Sequence, residues 1–200
     1  MIRIVIAEDQ ALLRGAIGSL LSLEPDMEVI ASASDGREAL DRVRERKPDV
    51  LVADIEMPVM TGLDVADALR SEGDQTRVLI VTTFARPGYL QRAMQAGVLG
   101  YVLKDSPSED LADAVRKVAA GQRAVAPELA ETAWSLPVSL TEREREILRL
   151  TEEGRTNKEI ARTLKLSPGT VRNYLAEAAS KLGAANRIEA FQIARENGWL

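Results

Sequence analysis

The sequence contains neither cysteine nor histidine among its 200 residues. Without cysteine, disulfide frameworks, Cys-type zinc sites and iron–sulfur clusters are excluded, so an oxidising compartment is not needed. Without histidine, the chain lacks the commonest general base and the usual zinc ligand, which excludes Ser-His-Asp and Cys-His catalysis. Any chemistry must therefore use carboxylates, hydroxyls, lysines and backbone groups.

Long apolar runs are also missing. No stretch approaches the ~18 consecutive apolar residues of a membrane span. The N-terminal "MIRIVIAEDQALLRG" has an acidic pair directly after its short apolar run, which is unlike a signal peptide. We therefore expect a soluble, cytoplasmic protein without membrane insertion. At roughly 100 to 200 residues per domain, the length permits two small domains, each with its own core.

Charge is distributed unevenly along the chain, whose net charge is −5. Residues 1–138 hold 15 Lys+Arg and 22 Asp+Glu, a net charge of −7, whereas residues 139–200 hold 11 and 9, a net charge of +2. Within residues 155–195 there are 8 basic and 3 acidic side chains. This pattern indicates an acidic module followed by a smaller module with a local basic face.

Five strand-length apolar runs alternate with helix-length amphipathic segments over residues 1–120. The runs are residues 2–6, 28–32, 49–54, 78–83 and 100–104. They are β-branched or leucine-rich and do not alternate strictly, as expected for strands buried on both faces of a parallel sheet. The pattern predicts a doubly wound α/β domain with a five-stranded parallel sheet, whose ligands bind at the carboxyl ends of the strands. Ser106-Pro107-Ser108-Glu109 predicts a capping box with proline at the first helical position of the last helix.

The alternation of apolar runs and amphipathic segments weakens over residues 121–138. This segment contains two prolines and is predicted to be a linker. Residues 139–200 have helical periodicity throughout, so we expect a separate all-α domain there. Helix caps are expected at Thr141, Ser167 and Asn186, and helix stops at Gly154 and Gly183.

Polar residues lie at the carboxyl ends of four predicted strands. Glu8 and Asp9 follow the first, Asp54 ends the third, Thr82 and Thr83 end the fourth and Lys104 ends the fifth. In a parallel sheet all of them project toward one rim. Three carboxylates repel one another unless a divalent cation is present, and oxygen-only ligands with open water positions favour Mg²⁺. A lysine and a hydroxyl suit the oxygens of a phosphoryl group, and an aspartate beside Mg²⁺ can attack phosphorus itself. The alternative is that these residues simply begin solvated loops.

The segments "IVIAEDQ", "DVLVADIEMPVMTGLD", "VLIVTTFARPGY" and "AGVLGYVLKDSPSEDL" resemble the flavodoxin-like receiver domain of two-component response regulators. This resemblance covers about 120 residues. It implies that Asp54 is the phosphoacceptor and that Glu8 and Asp9 are the acidic pair that holds Mg²⁺. Glu56 would be a further metal ligand through its backbone carbonyl. Pro58 and Gly62 match the loop that follows the phosphoacceptor strand.

The same resemblance implies roles for three further residues in the response to phosphorylation. Thr82 would be the hydroxyl that moves toward the phosphoryl group, Tyr101 the aromatic side chain that turns inward, and Lys104 the lysine that pairs with the phosphate. For Tyr101 the alternative is a half-buried aromatic residue of the sheet with no switching role.

The second module contains a helix-turn-helix pattern. Its first helix is predicted at Asn157 to Leu164, and its second begins with Ser167 as N-cap and Pro168 in the first turn. In the second helix Val171, Leu175, Ala178 and Leu182 form one apolar stripe.

Polar residues of this pair of helices are candidates for DNA contacts. Arg172 and Asn173 lie opposite the apolar stripe and can make bidentate contacts with guanine and adenine edges. Lys158, Thr170 and Lys181 suit phosphate contacts, which set register rather than sequence. The alternative for each is an ordinary solvated side chain.

The helical segment resembles the four-helix DNA-binding output domain of the NarL/FixJ (LuxR-type) regulators over about 60 residues. Ala176 stands where that family frequently has a basic residue, so it would offer only an apolar contact, such as one to a thymine methyl. The segments "TTFARPGYLQRA", "LKDSPSE", "APEL", "GTVRNYL" and "NRIEA" together resemble the DesR-type regulators of membrane-lipid desaturation. Control of membrane-lipid genes is therefore expected.

These observations predict a transcription factor, not an enzyme, that is switched by phosphorylation of Asp54. Phosphorylation would promote homodimerisation and binding to double-stranded promoter DNA. The resemblance implies that the receiver takes its phosphoryl group from a phosphohistidine. Because the chain itself has no histidine, the expected donor is another protein, a sensor histidine kinase. RNA polymerase is a further expected partner. Two dimer faces are expected, the first and fifth helices or the fourth helix with the fifth strand. The first and fifth helices are favoured because Leu13, Leu20, Val115 and Val118 are expected to leave apolar surface there, although some of these residues must face the sheet.

Two alternatives remain at this point. A Mg²⁺-dependent hydrolase could also use an aspartate nucleophile, but would ordinarily need an acid/base aspartate where Glu56 stands. A phosphorylation-independent DNA-binding regulator could carry a vestigial acidic site.

Overall fold

A computed structural model describes residues 1–83, 87–125 and 140–200 of the chain. Its contacts divide the chain into two compact units, an α/β unit and a helical unit, and each is treated separately below. In the described residues, no helix combines the length and the apolar character that crossing a membrane requires.

The α/β unit contains a wholly parallel sheet in the order β2-β1-β3-β4-β5-β6. Its strands are β1 (Ile2–Ala7), β2 (Met27–Ala33), β3 (Val50–Ala53), β4 (Arg77–Thr82), β5 (Gly100–Leu103) and β6 (Ala124–Val125). The predicted parallel sheet is confirmed, with one more strand than expected.

Strand β6 lies inside the segment that the sequence assigns to the linker. The N–H of Ala124 donates to the carbonyl of Leu99, and Ala124 and Val125 pair with Gly100 and Tyr101 of β5. The sheet therefore extends beyond residue 120. Residues 126–138 of the predicted linker lie outside the described residues.

Five helices alternate with the strands, as the periodicity predicts. They are α1 (Ala11–Ser22), α2 (Gly36–Arg46), α3 (Gly62–Glu72), α4 (Pro87–Gln95) and α5 (Ser108–Ala119). The prediction for the start of α5 is wrong, because Pro107 is the N-cap, Ser108 is the first helical residue and no side chain caps the helix. Pro107 takes the extended conformation of an N-cap residue. In place of a side-chain cap, the negative charges of Glu109 and Asp110 in the first turn interact favourably with the positive end of the helix dipole.

The core of the α/β unit surrounds the three central strands. All four residues of β3 and the last four of β1 are buried, as are the last five of β4. Val115 and Val118 of α5 are 0% exposed and belong to this core, so the prediction that they supply apolar surface for a dimer is wrong. They face the sheet because they lie on the apolar stripe that α5 must bury. The buried strands give the residues at their carboxyl ends a rigid base.

The helical unit contains α6 (Glu142–Glu152), α7 (Asn157–Leu164), α8 (Pro168–Leu182) and α9 (Arg187–Glu196). The predicted caps are confirmed, since Thr141, Ser167 and Asn186 each accept backbone N–H groups of the helix that follows. Gly183 ends α8 in the left-handed conformation, with φ of 65°. The apolar stripe predicted for α8 is buried along its whole length. These α8 residues pack with residues of α6, α7 and α9 in one core.

Candidate functional site

The carboxyl ends of β1 and β3 bring three carboxylates together. Ala7 pairs with Ala53 in the sheet, and the N–H of Asp54 donates to the carbonyl of Ala7 at 2.9 Å. One carboxylate oxygen from each of Glu8, Asp9 and Asp54 lies within 4.8 Å of the others. The structure thus brings together the acidic residues that the strand ends predict.

Lys104, which follows β5, connects two of these carboxylates. Its ammonium Nζ lies 2.8 Å from Oδ2 of Asp54 and 2.7 Å from Oε2 of Glu8. The other oxygen of Asp54, Oδ1, accepts the N–H of Ile55 at 2.7 Å. Asp54 is therefore held at both oxygens, and only Oδ2 faces the lysine.

Burial and charge act against each other at this site. Burial raises the pKa of Glu8, which is 1% exposed, and the hydrogen bond from Lys104 offsets only part of that effect. Burial alone would lower the pKa of Lys104, but its hydrogen bonds to Asp54 and Glu8 outweigh burial and raise that pKa. The lysine therefore stays protonated and compensates the charge of the two buried carboxylates.

The donor set of the acidic rim fits a hard divalent cation. Glu8, Asp9 and Asp54 offer only carboxylate oxygens, which are the ligands that Mg²⁺ prefers. Asp9 is exposed, so water could complete the coordination shell from its side. Glu56 is exposed in the loop after β3, and the role of its backbone carbonyl as a ligand stays a prediction.

Thr82 and Tyr101 lie on the strands next to Asp54. Thr82 ends β4, is fully buried, and its carbonyl accepts the N–H of Lys104 at 2.9 Å. Tyr101 lies opposite Ile80 in the sheet and is 2% exposed. The ring thus already occupies a buried position, where the sequence predicts an inward turn on phosphorylation. The switching role of both residues stays a prediction.

Two residues near the rim hold main-chain atoms of the site, and sequence reasoning missed this role for both. Arg14 of α1 donates from Nη1 to the carbonyl of Glu8 at 2.6 Å and to that of Asp9 at 3.4 Å. Gly62 opens α3, and its N–H donates to the carbonyl of Ile55 at 3.0 Å. Their contacts involve backbone carbonyls, which a pattern of side-chain types does not show.

The candidate DNA-binding residues lie on α7 and α8 of the helical unit. Lys158, Arg172, Asn173 and Ala176 are exposed, whereas Thr170 is half-buried and its hydroxyl lies 2.8 Å from that of Ser167. The exposed polar side of α8 predicted from the sequence is therefore present, although the contacts with DNA stay predictions. Sequence reasoning passed over Glu177, which is also exposed on this helix.

Lys181 has an internal partner that the sequence did not indicate. Its ammonium lies 2.8 Å from both carboxylate oxygens of Glu144, which is buried in α6. Burial would raise the pKa of Glu144, but hydrogen bonds from Lys181 and Thr141 outweigh burial and lower that pKa. Lys181 therefore links α8 to α6, and its contact with a DNA phosphate stays a prediction.

Comparison with known proteins gives a family for each unit. Residues 4–116 match the model of the response regulator receiver domain. Residues 138–194 match the model of the luxR family of bacterial regulatory proteins. Together the two models span both modules predicted from the sequence.

Similar proteins and structures cover the whole chain. It is 53% identical to the transcriptional regulatory protein DesR of Bacillus subtilis over 199 residues, which covers 100% of the chain and 99% of DesR. It is 54% identical to YvfU, an uncharacterized transcriptional regulatory protein of the same organism, over 100% of both chains. The crystal structure of ChrA, a response regulator of a heme-sensing two-component system, is 35% identical and covers 100% of this chain and 98% of its own, with a TM-score of 0.59.

Proposed function

The chain belongs to the two-component response regulators that join a receiver domain to a LuxR-family DNA-binding domain, and we propose that phosphorylation of Asp54 switches its binding to DNA. A role in regulating transcription follows from the family. The finer proposal is that this chain is a phosphorylated switch rather than an enzyme, acting in the cytoplasm, where bacterial DNA lies.

The contact between Lys104 and Oδ2 of Asp54 is the observation that carries the proposal. Oδ1 accepts the backbone N–H of Ile55, whereas Oδ2 accepts the ammonium of Lys104, a side chain that can move to the phosphoryl group. We therefore propose Oδ2 as the oxygen that attacks phosphorus. In the proposed step the phosphohistidine of a sensor kinase loses its N–P bond while Oδ2 forms an O–P bond, and the kinase histidine is released. Lys104 then pairs with an oxygen of the transferred group instead of with the free carboxylate.

We propose that Glu8, Asp9 and Asp54 hold Mg²⁺ during this transfer, with the backbone carbonyl of Glu56 as a further ligand. The ion would supply positive charge to the phosphoryl oxygens. Because Lys104 compensates two buried carboxylates, its movement toward the phosphoryl group leaves negative charge that a cation must balance.

The output step that we propose is homodimerisation on the α1 and α5 side of the receiver. A groove between these helices is lined by Leu13, Leu20, Leu103, Lys104 and Leu111. Lys104 is therefore shared between the groove and the acidic rim, which supports a link between Asp54 and this surface. Leu20 is 39% exposed, and Leu12 and Leu23 of the same helix region are 84% and 79% exposed.

A dimer would place two copies of α8 on two DNA half-sites about one helical turn apart. The dimer then binds DNA more tightly than either helical unit alone, because once one unit is bound the binding of the second is intramolecular. Arg172, Asn173 and Ala176 are the proposed base-reading residues, and Lys158, Thr170 and Lys181 the proposed phosphate contacts. A contact with RNA polymerase at the promoter is part of the same proposal.

The experiment treats the full chain with acetyl phosphate and Mg²⁺ and measures covalent mass, mass in solution and affinity for a promoter fragment. We expect one added phosphoryl group, a doubled mass in solution and tighter DNA binding. Asp54→Asn should abolish all three changes, and Asp41→Asn, which alters an exposed carboxylate of α2, should abolish none. Tight DNA binding without any added phosphoryl group would instead favour the phosphorylation-independent regulator. Steady release of inorganic phosphate from many equivalents of substrate would favour the hydrolase.

We propose membrane-lipid genes as the target, on the resemblance to DesR-type regulators. The 53% identity to DesR over the full chain supports this proposal. Transcript levels in the host, compared between the wild-type gene and the Asp54→Asn variant, test this. A change in other genes with no change in lipid-modifying genes would contradict it.

A further inference from the structure

Arg14 lies at the end of the first turn of α1, beside the loop that carries the acidic pair. Its Nη1 donates to the carbonyl oxygen of Glu8 at 2.6 Å and to that of Asp9 at 3.4 Å. The short distance to Glu8 is typical of a hydrogen bond that carries a formal charge. One guanidinium thus contacts the main chain of both residues whose carboxylates face Asp54.

The loop needs such a contact because the start of α1 is weakly capped. Gln10 occupies the N-cap position without a side-chain cap hydrogen bond, and the first turn of α1 contains no acidic residue. Instead, Oε1 of Glu8 accepts the N–H of Gln10 at 3.2 Å, so Glu8 itself partly serves as a cap. A helix end without a cap frays more easily, and here fraying would displace the acidic pair.

The charge of Arg14 acts on the site in the opposite sense to its hydrogen bonds. A cation near three carboxylates weakens their attraction for a second cation, so charge alone predicts that loss of Arg14 tightens Mg²⁺ binding. Arg14 is half-buried, so solvent screens this repulsion. The hydrogen bond to the carbonyl of Glu8 is direct and short, so we expect positioning to outweigh repulsion.

We propose that Arg14 is a positioning residue for phosphoryl transfer, which fixes the main chain of Glu8 and Asp9 so that their carboxylates meet Asp54. This inference rests on the proposed function of Asp54. Loss of the contact should raise the Mg²⁺ concentration that the receiver needs, whereas the maximal rate at saturating Mg²⁺ should change little. Once the ion is bound, it holds the carboxylates itself.

The test compares the full-length wild type with Arg14→Met, Arg14→Lys and Arg37→Met. Arg37 is exposed on α2, so its replacement removes the same charge away from the acidic rim. Binding of Mg²⁺ alone is measured by calorimetry, and phosphorylation by acetyl phosphate is measured across a Mg²⁺ series. Thermal unfolding without Mg²⁺ shows whether each variant is folded.

Arg14→Met should raise the dissociation constant for Mg²⁺ and the half-maximal Mg²⁺ concentration by about three- to tenfold, the size expected for one ordinary net hydrogen bond, because the repulsion between Arg14 and the ion offsets part of the charged contact. Arg14→Lys, which keeps the charge and one donor, should recover part of the loss, and Arg37→Met should match the wild type. Unchanged or tighter Mg²⁺ binding in a folded Arg14→Met variant overturns the inference. A wild type that binds Mg²⁺ without any phosphorylation at Asp54 would overturn the proposed function instead.

Discussion

Gly62 opens α3 at a point where the main chain of Asp54 leaves no room for a side chain. A Cβ atom added to Gly62 would lie 2.1 Å from the carbonyl oxygen of Asp54 and 3.0 Å from its carbonyl carbon. Both are backbone atoms, which cannot move aside as the end of a flexible side chain can. The glycine is therefore required by space, because it lets α3 begin close to the main chain of the proposed phosphoacceptor, Asp54.

We expect Gly62→Ala to destabilise the receiver by about 1–3 kcal/mol, the usual cost of overpacking. The shift of Asp54 should also slow its phosphorylation by acetyl phosphate at saturating Mg²⁺. Gly15→Ala is the matched control, since its Cβ would meet nothing within 4 Å in the exposed part of α1. That variant should be more stable by about 0.5–1 kcal/mol. Equal stability and equal phosphorylation rates of Gly62→Ala and the wild type would contradict the argument.

Val59, in the loop between β3 and α3, has an unfavourable backbone conformation. Its φ is 68°, in the left-handed region, and the side chain is 80% exposed. A β-branched residue loses about 1–2 kcal/mol in this conformation, and exposure means that little packing compensates.

Val59→Gly should raise the stability of the receiver by up to about 1 kcal/mol, because the relief of strain exceeds the added entropy of the unfolded chain. Thermal unfolding of the full chain measures the shift. Val59→Ala serves as the control, since alanine removes the exposed isopropyl group but keeps most of the strain. If glycine and alanine give the same melting temperature, the strain does not contribute to stability.

The side chains of the site could be predicted from the sequence, but the residues that position its main chain could not. Glu8, Asp9, Asp54 and Lys104 each follow an apolar run, and parallel strands carry their carboxyl ends to one rim. Arg14 acts on carbonyl oxygens through the curvature of a loop, which no periodic pattern encodes.

At the scale of secondary-structure elements, the long buried strands were the easiest to predict. A strand that is covered on both faces appears in the sequence as a continuous apolar run, as in β3 and β4. Strand β6 escaped prediction because it has only two residues, Ala124 and Val125, and forms by pairing with β5 rather than from local propensity. The start of α5 differed because the resemblance to a capping box does not fix which residue takes the N-cap position.

Glu144 connects two elements of the helical unit. Its carboxylate accepts the N–H of Thr141 at the start of α6 at 2.6 Å and also pairs with Lys181 of α8. Because these contacts lower the pKa of Glu144 in the folded state, the ionised form stabilises the folded unit. That stabilisation is present above the ordinary pKa of a glutamate, about 4.5, and is lost as the pH falls through the lower folded value.

We expect Glu144→Gln to lower the free energy of unfolding of the helical unit by about 1–2 kcal/mol at pH 7, since the charged cap and the ion pair are both weakened. The difference from the wild type should begin to shrink as the pH falls below about 4.5, where the carboxylate of the unfolded chain becomes protonated, and should be smallest below the lower folded pKa of Glu144. Urea unfolding at pH 7 and at lower pH, followed by circular dichroism, measures it. Glu142→Gln, with a side chain that is 75% exposed in the same helix, should change stability by less than about 0.5 kcal/mol. A pH-independent difference would contradict the role of ionisation.

For the whole molecule, the division into two modules could be predicted because each module buries its own core. The receiver core contains residues of the sheet with α1 and α5, and the helical core contains residues of α6 to α9. Local periodicity and the change in charge near residue 139 are enough to separate them. The operator sequence could not be predicted in this way, because the proposed base contacts involve only a few exposed side chains of α8 and DNA that is not part of this chain.

The opposite charges of the modules give a prediction for the full chain. The covalently attached receiver region carries a net charge of −7, and DNA is also negative, so the receiver should repel DNA that the helical module attracts. A fragment of residues 139–200 should therefore bind a non-operator duplex about three- to tenfold more tightly than the unphosphorylated full chain at low salt. The Debye length falls to about 8 Å at physiological ionic strength, so the difference should diminish as salt rises.

Fluorescence anisotropy with one labelled duplex over a salt series measures both affinities. Circular dichroism of the fragment shows first whether it is helical. Lys158→Ala in the same fragment is the control for a phosphate contact, since it should weaken binding to the non-operator duplex, with a shallower salt dependence because one cation fewer meets a phosphate. If the fragment and the full chain bind equally at low salt, the negative charge of the receiver does not act on the DNA, and the division of charge affects only solubility.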